Sequence, residues 1–445
     1  PDITVTIVDI DKDKINCWND PLFKKIPVFE PDLIPLLKKC RDKNLFFSTN
    51  LKEEISNADI IFISVNTPTK TKGLGAYYAS DLTWIESSAR EIAKYARNHT
   101  VVVEKSTLPV KTAETIKTIL NSVENNLSDQ PAKTFSVLSN PEFLAEGTAI
   151  EDLTNPDRVL IGGDDELSID CLAKIYEQWV DPKKIIKTNL WSSELSKLTA
   201  NAFLAQRISS INSVAAICEV TGANIKEVSL AIGQDKRIGR YFLNAGPGFG
   251  GSCFKKDILN LVYLSKYFGL PEIARYWESV VHLNIWNQDR ISEIIVDKLF
   301  GTLADKKIAI LGFSFKSNTN DTRESSAIRI AKNLLKEGAY LLIHDPKVSE
   351  KQIAKDIEDT YNLKTIDNLE KKGLRKWKKV SDVYEASNGV DAIVVLTEWE
   401  EYSKLKWDII AEKMRYPAWV FDTRLIINEE KIKFTKINFW RIGIG

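Results

Sequence analysis

Short apolar runs that each end in a polar loop, with helical stretches between them, set the tightest limit on what this chain can fold into. Residues 58–65 (ADIIFISV), 100–103 (TVVV), 135–138 (FSVL) and 158–162 (RVLIG) read as buried strands, as does a short stretch near Ile185. Helical patterns at 82–97, 110–120 and 168–179 fall between them. Strands alternating with helices imply a parallel sheet, and ligands of such sheets sit outside the carboxyl ends of the strands. A second series begins at 306–312 (KKIAILG) and continues through a helix at 326–337 and strands at 340–344, 392–396 and 419–422. The fold class expected is therefore α/β, with two Rossmann-like parallel-sheet domains.

Between the two series the pattern changes. Residues 191–220 contain no Gly or Pro and keep a helical apolar period, with Ser192 or Ser193 as the cap and Glu194 in the first turn. A helix of that length, about 45 Å, serves as a spine joining the domains, and a second long helix is expected from Glu272 to about Phe300. The expected organisation is 1–190 for one sheet domain, 191–302 for a helical middle domain, and 303–445 for the other sheet domain.

Whole-chain properties exclude several classes. The 61 basic and 61 acidic residues cancel, which gives no electrostatic footprint for nucleic acid. No apolar run approaches the ~18 residues of a membrane span. The five cysteines are scattered without a C-x-x-C pair, and the opening PDITVTIVDI lacks the succession of a signal peptide. A reduced, cytoplasmic chain is the expectation. None of the three histidines stands in a metal-ligand spacing, so no metal is expected.

Chemistry is expected at 246–257, GPGFGGSCFKKD. Dense glycines bring backbone N–H groups close to a ligand. Cys253 then opens a helix that carries Lys256 and Asp257 in its first turn, where the dipole and nearby lysines favour a reactive thiolate. Glu142 and Glu146 are four apart, and Pro141 at the first helical position would set both on one face. Such carboxylates suit general-base work on a water. Lys197 and Asn201 share a helix face and can donate to a developing oxyanion. Asp9 ends a strand over residues 4–10, as the ribose-binding acid of a dinucleotide unit does. Loop 313–325 offers Lys316 and Arg323, and the last strand delivers Arg424, a basic set suited to a phosphorylated ligand.

Taken together, FISVNTPTKT, EKSTLPV, SNPEFLAEGTAI, NPDRVLIGG, SSELSKL, NAFLAQRISSIN, GFGGSCFKKD, KKIAILGFSFK and NDTRESS resemble the nucleotide-sugar dehydrogenase family, in its UDP-glucose-oxidising branch of eukaryotic type. The matching stretches cover nearly the whole chain. The resemblance implies oxidation of the C6 alcohol of UDP-glucose to a carboxylate with two NAD⁺ reduced. It implies Cys253 as nucleophile, Lys197 and Asn201 as oxyanion stabilisers, Glu142 as base for hydrolysis, and Asp257 and Thr107 as the residues that place the water. Asp9, Lys14, Val65, Asn66, Thr67, Pro68, Thr69, Ser106, Thr107, Glu146 and Arg323 match cofactor contacts. Glu142, Phe143, Leu144, Ala145, Glu146, Lys197, Asn201, Arg237, Asn244, Gly248, Phe249, Gly250, Phe315, Lys316 and Arg424 match substrate contacts. Arg237 corresponds to an arginine that reaches a neighbouring subunit, so a homo-oligomer is expected. Lys14 stands where relatives often carry Arg, and Asn244 where some carry Lys. Relatives begin with a strand, a Gly-rich loop and a helix that bind the cofactor pyrophosphate; the expectation is that the sequence is truncated relative to the working protein. Two alternatives stand beside this reading: a dehydrogenase of another nucleotide sugar, and a catalytically impaired subunit that still binds UDP-sugar.

Overall fold

The computed structural model of the chain describes residues 3–107, 109–122, 133–357 and 376–445. They form two compact units, one made of residues 1–200 with 259–274 and the other of 201–258 with 275–445.

In the first unit, strands β1 (Val5–Val8) and β2 (Leu45–Ser48) pair in parallel as a sheet of their own. A five-stranded sheet follows in the order β3 (Ile60–Ile63), β4 (Thr100–Glu104), β5 (Phe135–Ser139), β6 (Val159–Gly162), β7 (Ile185–Thr188). The ladders are parallel except for one antiparallel step between β5 and β6 at Ser139 and Gly162. Successive strand residues point to opposite faces, and β4 uses both. Val102 packs with Ile85, Ala89, Ile92 and Ile116, whereas Val101 and Val103 pack on the other side with Leu138, Leu172 and Ala173. Helices Thr83–Tyr95 and Thr112–Asn121 cover the first face, and helix Glu166–Tyr176 the second. That is why β4 reads as an unbroken apolar run.

The second unit holds a wholly parallel six-stranded sheet. Its strands are β8 (Lys307–Leu311), β9 (Tyr340–His344), β10 (Trp377–Lys379), β11 (Ala392–Val395), β12 (Trp419–Asp422) and β13 (Asn438–Arg441), in the spatial order β10-β9-β8-β11-β12-β13. The order reverses between β8 and β11, which is the switch point where doubly wound sheets bind ligands. Ile308 and Ile310 face one core with Ile211, Ala215 and Ile291, while Ala309 and Leu311 face another with Tyr402 and Trp407. Two Rossmann-like sheets are thus present, one in each unit.

The spine is a single helix, Leu190–Thr221, and the second long helix is Pro271–Lys298. Each contributes residues to both compact units. The cap of the spine is Asn189, whose Oδ1 accepts the Ser192 N–H at 2.8 Å, in place of the serine caps expected. Ser193 is instead buried, its hydroxyl directed at the Ser139 carbonyl. No helix among the described residues is long and apolar enough to cross a membrane.

The start of the spine also carries an unusual carboxyl pair. Glu194 accepts the N–H groups of Lys111 and Ala113, at 2.7 and 2.8 Å, and so pins the start of helix Thr112–Asn121. It also bonds the buried Glu104 at the end of β4, and burial with this neighbour pushes the Glu104 carboxyl well above the ordinary range. The folded protein therefore holds a proton that the unfolded chain releases, and stability falls as pH rises above the ordinary glutamate range. Glu104→Gln keeps a hydrogen-bonding partner without the charge. Its melting temperature is expected to decline less than that of the wild type as pH rises above the ordinary glutamate range, a change thermal denaturation reads directly.

Candidate active site

In the first unit three loops leave the carboxyl ends of β3, β4 and β5. After β3, the Val65 carbonyl accepts the Ser106 hydroxyl at 2.7 Å, and Thr67 Oγ1 donates to the Thr107 carbonyl at 3.1 Å. These bonds tie Val65, Thr67, Ser106 and Thr107 into one rigid edge. Pro68 accepts the Asp81 N–H, Thr69 bridges to Ser80, and Asn66 stays exposed between them. At the end of β1, Asp9 Oδ2 lies 3.5 Å from the Lys14 ammonium, with both side chains exposed. An exposed carboxylate held at a strand end suits a ribose diol, so the residues here fit a dinucleotide.

After β5 the expected helix at Pro141 does not form. Residues 141–145 are irregular, and the next helix is Ala149–Thr154. Gly147 is left-handed at φ +86°, and the N–H groups of Gly147 and Ala149 go to the Glu30 carboxylate at 2.8 and 2.6 Å. Ala145 N–H goes to Asp152 at 2.8 Å. Side chains thus take the donors that a helix would have used. Glu142 and Glu146 lie on this open loop and not on one helical face. Glu142 reaches toward Lys197, its carboxylate 3.6 Å from an ammonium that is only 5% exposed. Phe143 lies under two cations, with the Arg158 guanidinium 3.8 Å and the Lys197 ammonium 5.3 Å from its ring. Leu144 is half-buried beside it.

One residue here escaped the sequence reading. Lys105 donates to Asn140 Oδ1 at 3.1 Å and to the Tyr176 hydroxyl at 3.3 Å, and that hydroxyl donates to the same Asn140 oxygen at 2.6 Å. Burial lowers its pKa to about 8, against the opposing field of Glu142 and with the aid of the Lys197 charge.

In the second unit Cys253 directly precedes helix Phe254–Tyr267, its carbonyl accepting the Asp257 N–H at 2.9 Å. Its sulfur lies 3.4 Å from the Ser252 hydroxyl. Asp257, 1% exposed, accepts from the Asn201 amide at 2.6 Å, and the Lys256 ammonium lies 3.9 Å from its other oxygen. Cys253 and Asp257 thus stand one turn apart at this helix start, and Asp257 is tied to the Asn201 amide of the spine helix.

The glycines before Cys253 also have a reason within the chain itself. Gly246 N–H goes to Asn212, Phe249 N–H to Asn284, and Gly251 N–H to the Arg323 carbonyl, at 2.9, 2.8 and 2.8 Å. Gly248, at φ +130°, would set a Cβ 2.5 Å from Asn284 Oδ1, and Gly250 would set one 2.6 Å from the Glu324 carbonyl. The glycines let the chain's own asparagines and the loop after β8 close on the backbone. Asn284 and Asn287, which accept and donate along this loop, were missed; their signal is a pair of amides at i and i+3 on a core-facing helix.

The basic set is more engaged than expected. Arg424 Nε and Nη2 donate to the Leu396 and Phe315 carbonyls at 2.8 and 3.1 Å, with Glu398 at 3.1 Å, so it braces the loops after β8 and β11. Arg323 forms a bidentate pair with Asp321. Lys316 is half-buried near the Phe315 ring, and Asn244 is exposed. The Arg237 side chain is 89% exposed, paired with Asp235 at 2.6 Å.

Comparison with known proteins decides what these parts belong to. Residues 1–180 match the NAD binding domain of the UDP-glucose/GDP-mannose dehydrogenase family, residues 191–286 its central domain, and residues 309–429 its UDP binding domain. The chain belongs to the UDP-glucose/GDP-mannose dehydrogenase family. As a member it is an oxidoreductase that takes NAD. Relatives at this level include the UDP-glucose 6-dehydrogenase of Bos taurus, 51% identical over 100% of this chain and 88% of that one. Another is UDP-glucose 6-dehydrogenase 5 of Oryza sativa subsp. japonica, 48% identical over 100% of this chain and 92% of that one. Among solved structures, a UDP-glucose dehydrogenase from Pyrobaculum islandicum is 28% identical with a TM-score of 0.83, covering 99% of this chain and 92% of that one. A UDP-D-ManNAc dehydrogenase from Pyrococcus horikoshii shares the family fold at 23% identity, with a TM-score of 0.79 over 100% of this chain and 94% of that one.

Proposed function

We propose that this chain oxidises the C6 alcohol of UDP-glucose to the carboxylate, in two hydride transfers linked by a covalent bond to Cys253. The observation that carries the reading is Cys253 one helical turn before the buried Asp257, which the Asn201 amide holds, in a chain about half identical to two relatives named for that reaction. NAD, when bound, supplies the hydride acceptor. Asp9 and Lys14 hold its ribose end, and Val65 to Thr69, Ser106, Thr107, Glu146 and Arg323 hold the remainder. The UDP moiety and the sugar rest on residues 142–146, Asn244, residues 248–250, Phe315, Lys316 and Arg424.

Loss of the first hydride and of the hydroxyl proton leaves an aldehyde at C6. The Cys253 thiolate adds to that carbon, and Lys197 with Asn201 donates to the oxygen, which gives a thiohemiacetal instead of a free aldehyde. Loss of the second hydride, with the thiohemiacetal hydroxyl proton passing to solvent, makes a thioester. Glu142 takes a proton from water as its oxygen adds to the thioester carbon, Thr107 and Asp257 hold that water, and the Cys253 thiolate departs. Lys197 already faces Glu142 at 3.6 Å, which holds the carboxylate at the site. Free cysteines at all five positions suit a reduced cytoplasmic protein, and the outward Arg237 suits a homo-oligomer in which it serves a neighbouring subunit.

Two NADH per UDP-glucose consumed is the expected stoichiometry, measured by absorbance with limiting sugar nucleotide. One NADH would replace this reading with a simple alcohol dehydrogenase, and none, with UDP-glucose still bound, would leave a binding subunit.

A further inference from the structure

Lys105 is a half-buried cation that the mechanism above does not use. Its ammonium is fixed by two bonds, to Asn140 Oδ1 and the Tyr176 hydroxyl. Asn140 is itself fixed, donating to the Leu160 carbonyl at 2.7 Å and accepting from Tyr176. Glu142 follows Asn140 by two residues on an irregular loop, so whatever anchors Asn140 sets where the Glu142 carboxylate begins. The charged and titratable groups facing Lys105 are Tyr176 from helix Glu166–Tyr176, Glu142 from the loop after β5, and Lys197 from the spine helix. Glu142 is thus served by one ammonium at 3.6 Å and lies within the field of a second. An ammonium partly withdrawn from solvent is costly unless its charge is used.

We propose that Lys105 is a positioning residue for the Glu142–Lys197 pair, acting through the Asn140 anchor and through its charge on the Glu142 carboxylate. The proposal rests on Glu142 serving as the hydrolytic base. Because the Lys105 pKa lies at about 8, its charge is present below that pH and lost above it. The wild-type kcat should therefore fall as pH rises through about 8. In Lys105→Arg, whose charge persists, that limb should move at least about one unit higher. Lys105→Met should lower kcat about ten- to hundredfold with KM little changed; Lys105→Gln serves if the Met variant does not fold. A purely structural lysine would lower kcat without moving the limb, and an unmoved limb in Lys105→Arg overturns the proposal.

A second arm needs no substrate. Competitive acetylation of the full, unliganded chain, read on the Lys105 peptide by mass spectrometry, gives the titration of this amine. Its midpoint should drop in Glu142→Gln, which removes an attracting charge, and rise in Lys197→Met, which removes a repelling one. A midpoint unmoved in both variants overturns the coupling. Failure of the functional reading shows separately, as absent UDP-glucose-dependent NADH formation by the wild type.

Discussion

Cys253→Ser is expected to lower complete oxidation of UDP-glucose by about a thousandfold or more, since removing a covalent nucleophile costs an enzyme on this order, while the sugar nucleotide still binds. The serine hydroxyl at this position has no base shown against it. An alcohol ionises far less readily than a thiol, so the serine is the weaker nucleophile. The substitution removes little volume, and Cys253 is only half-buried, so folding should be unaffected. NADH formation and calorimetric titration with UDP-glucose, run on the same preparation, separate the two effects. Near-normal NADH production in this variant would remove the thiohemiacetal from the mechanism.

Glu142→Gln should act later in the reaction. Glutamine has the same shape and leaves an oxygen to face Lys197, but it cannot take a proton from water. The two hydride transfers remain available, and hydrolysis of the thioester slows by about 10²–10⁴-fold, the usual worth of a positioned base. The expected trace is a rapid burst of two NADH per active site followed by a stall, seen by stopped-flow absorbance. A uniform slowing without a burst would place Glu142 in an earlier step.

How far these expectations could be drawn from the chain alone varies with the element. β4, β5, β8, β11 and β12 were legible because both their faces are buried, so the apolar run is unbroken. β10 and β13 were not, because each ends its sheet and turns polar residues to solvent: Trp377 is buried while Lys378 is exposed, and β13 has no fully buried residue. The same limit applied to β2, where only Phe47 is buried. Cys253, Asp257, Lys197 and Asn201 were legible as local spacings on helices. The loop 140–147 was misread as a helix because its decisive partner, Glu30, is 117 residues away from Gly147. Lys105 was passed over for a similar reason: its fixing partners Asn140 and Tyr176 are 35 and 71 residues distant, and only burial reveals its altered proton affinity. The glycines of residues 246–251 were found, but not the groups that close on them from elsewhere in the chain, Asn284 on Gly248 and the Glu324 carbonyl on Gly250.

The covalent bond itself is open to direct observation. Glu142→Gln mixed with UDP-glucose and NAD⁺, quenched in acid after the burst and weighed intact, should carry one UDP-glucuronyl group, and digestion should place it on the peptide containing Cys253. A burst of two NADH with Cys253 unmodified would contradict the account.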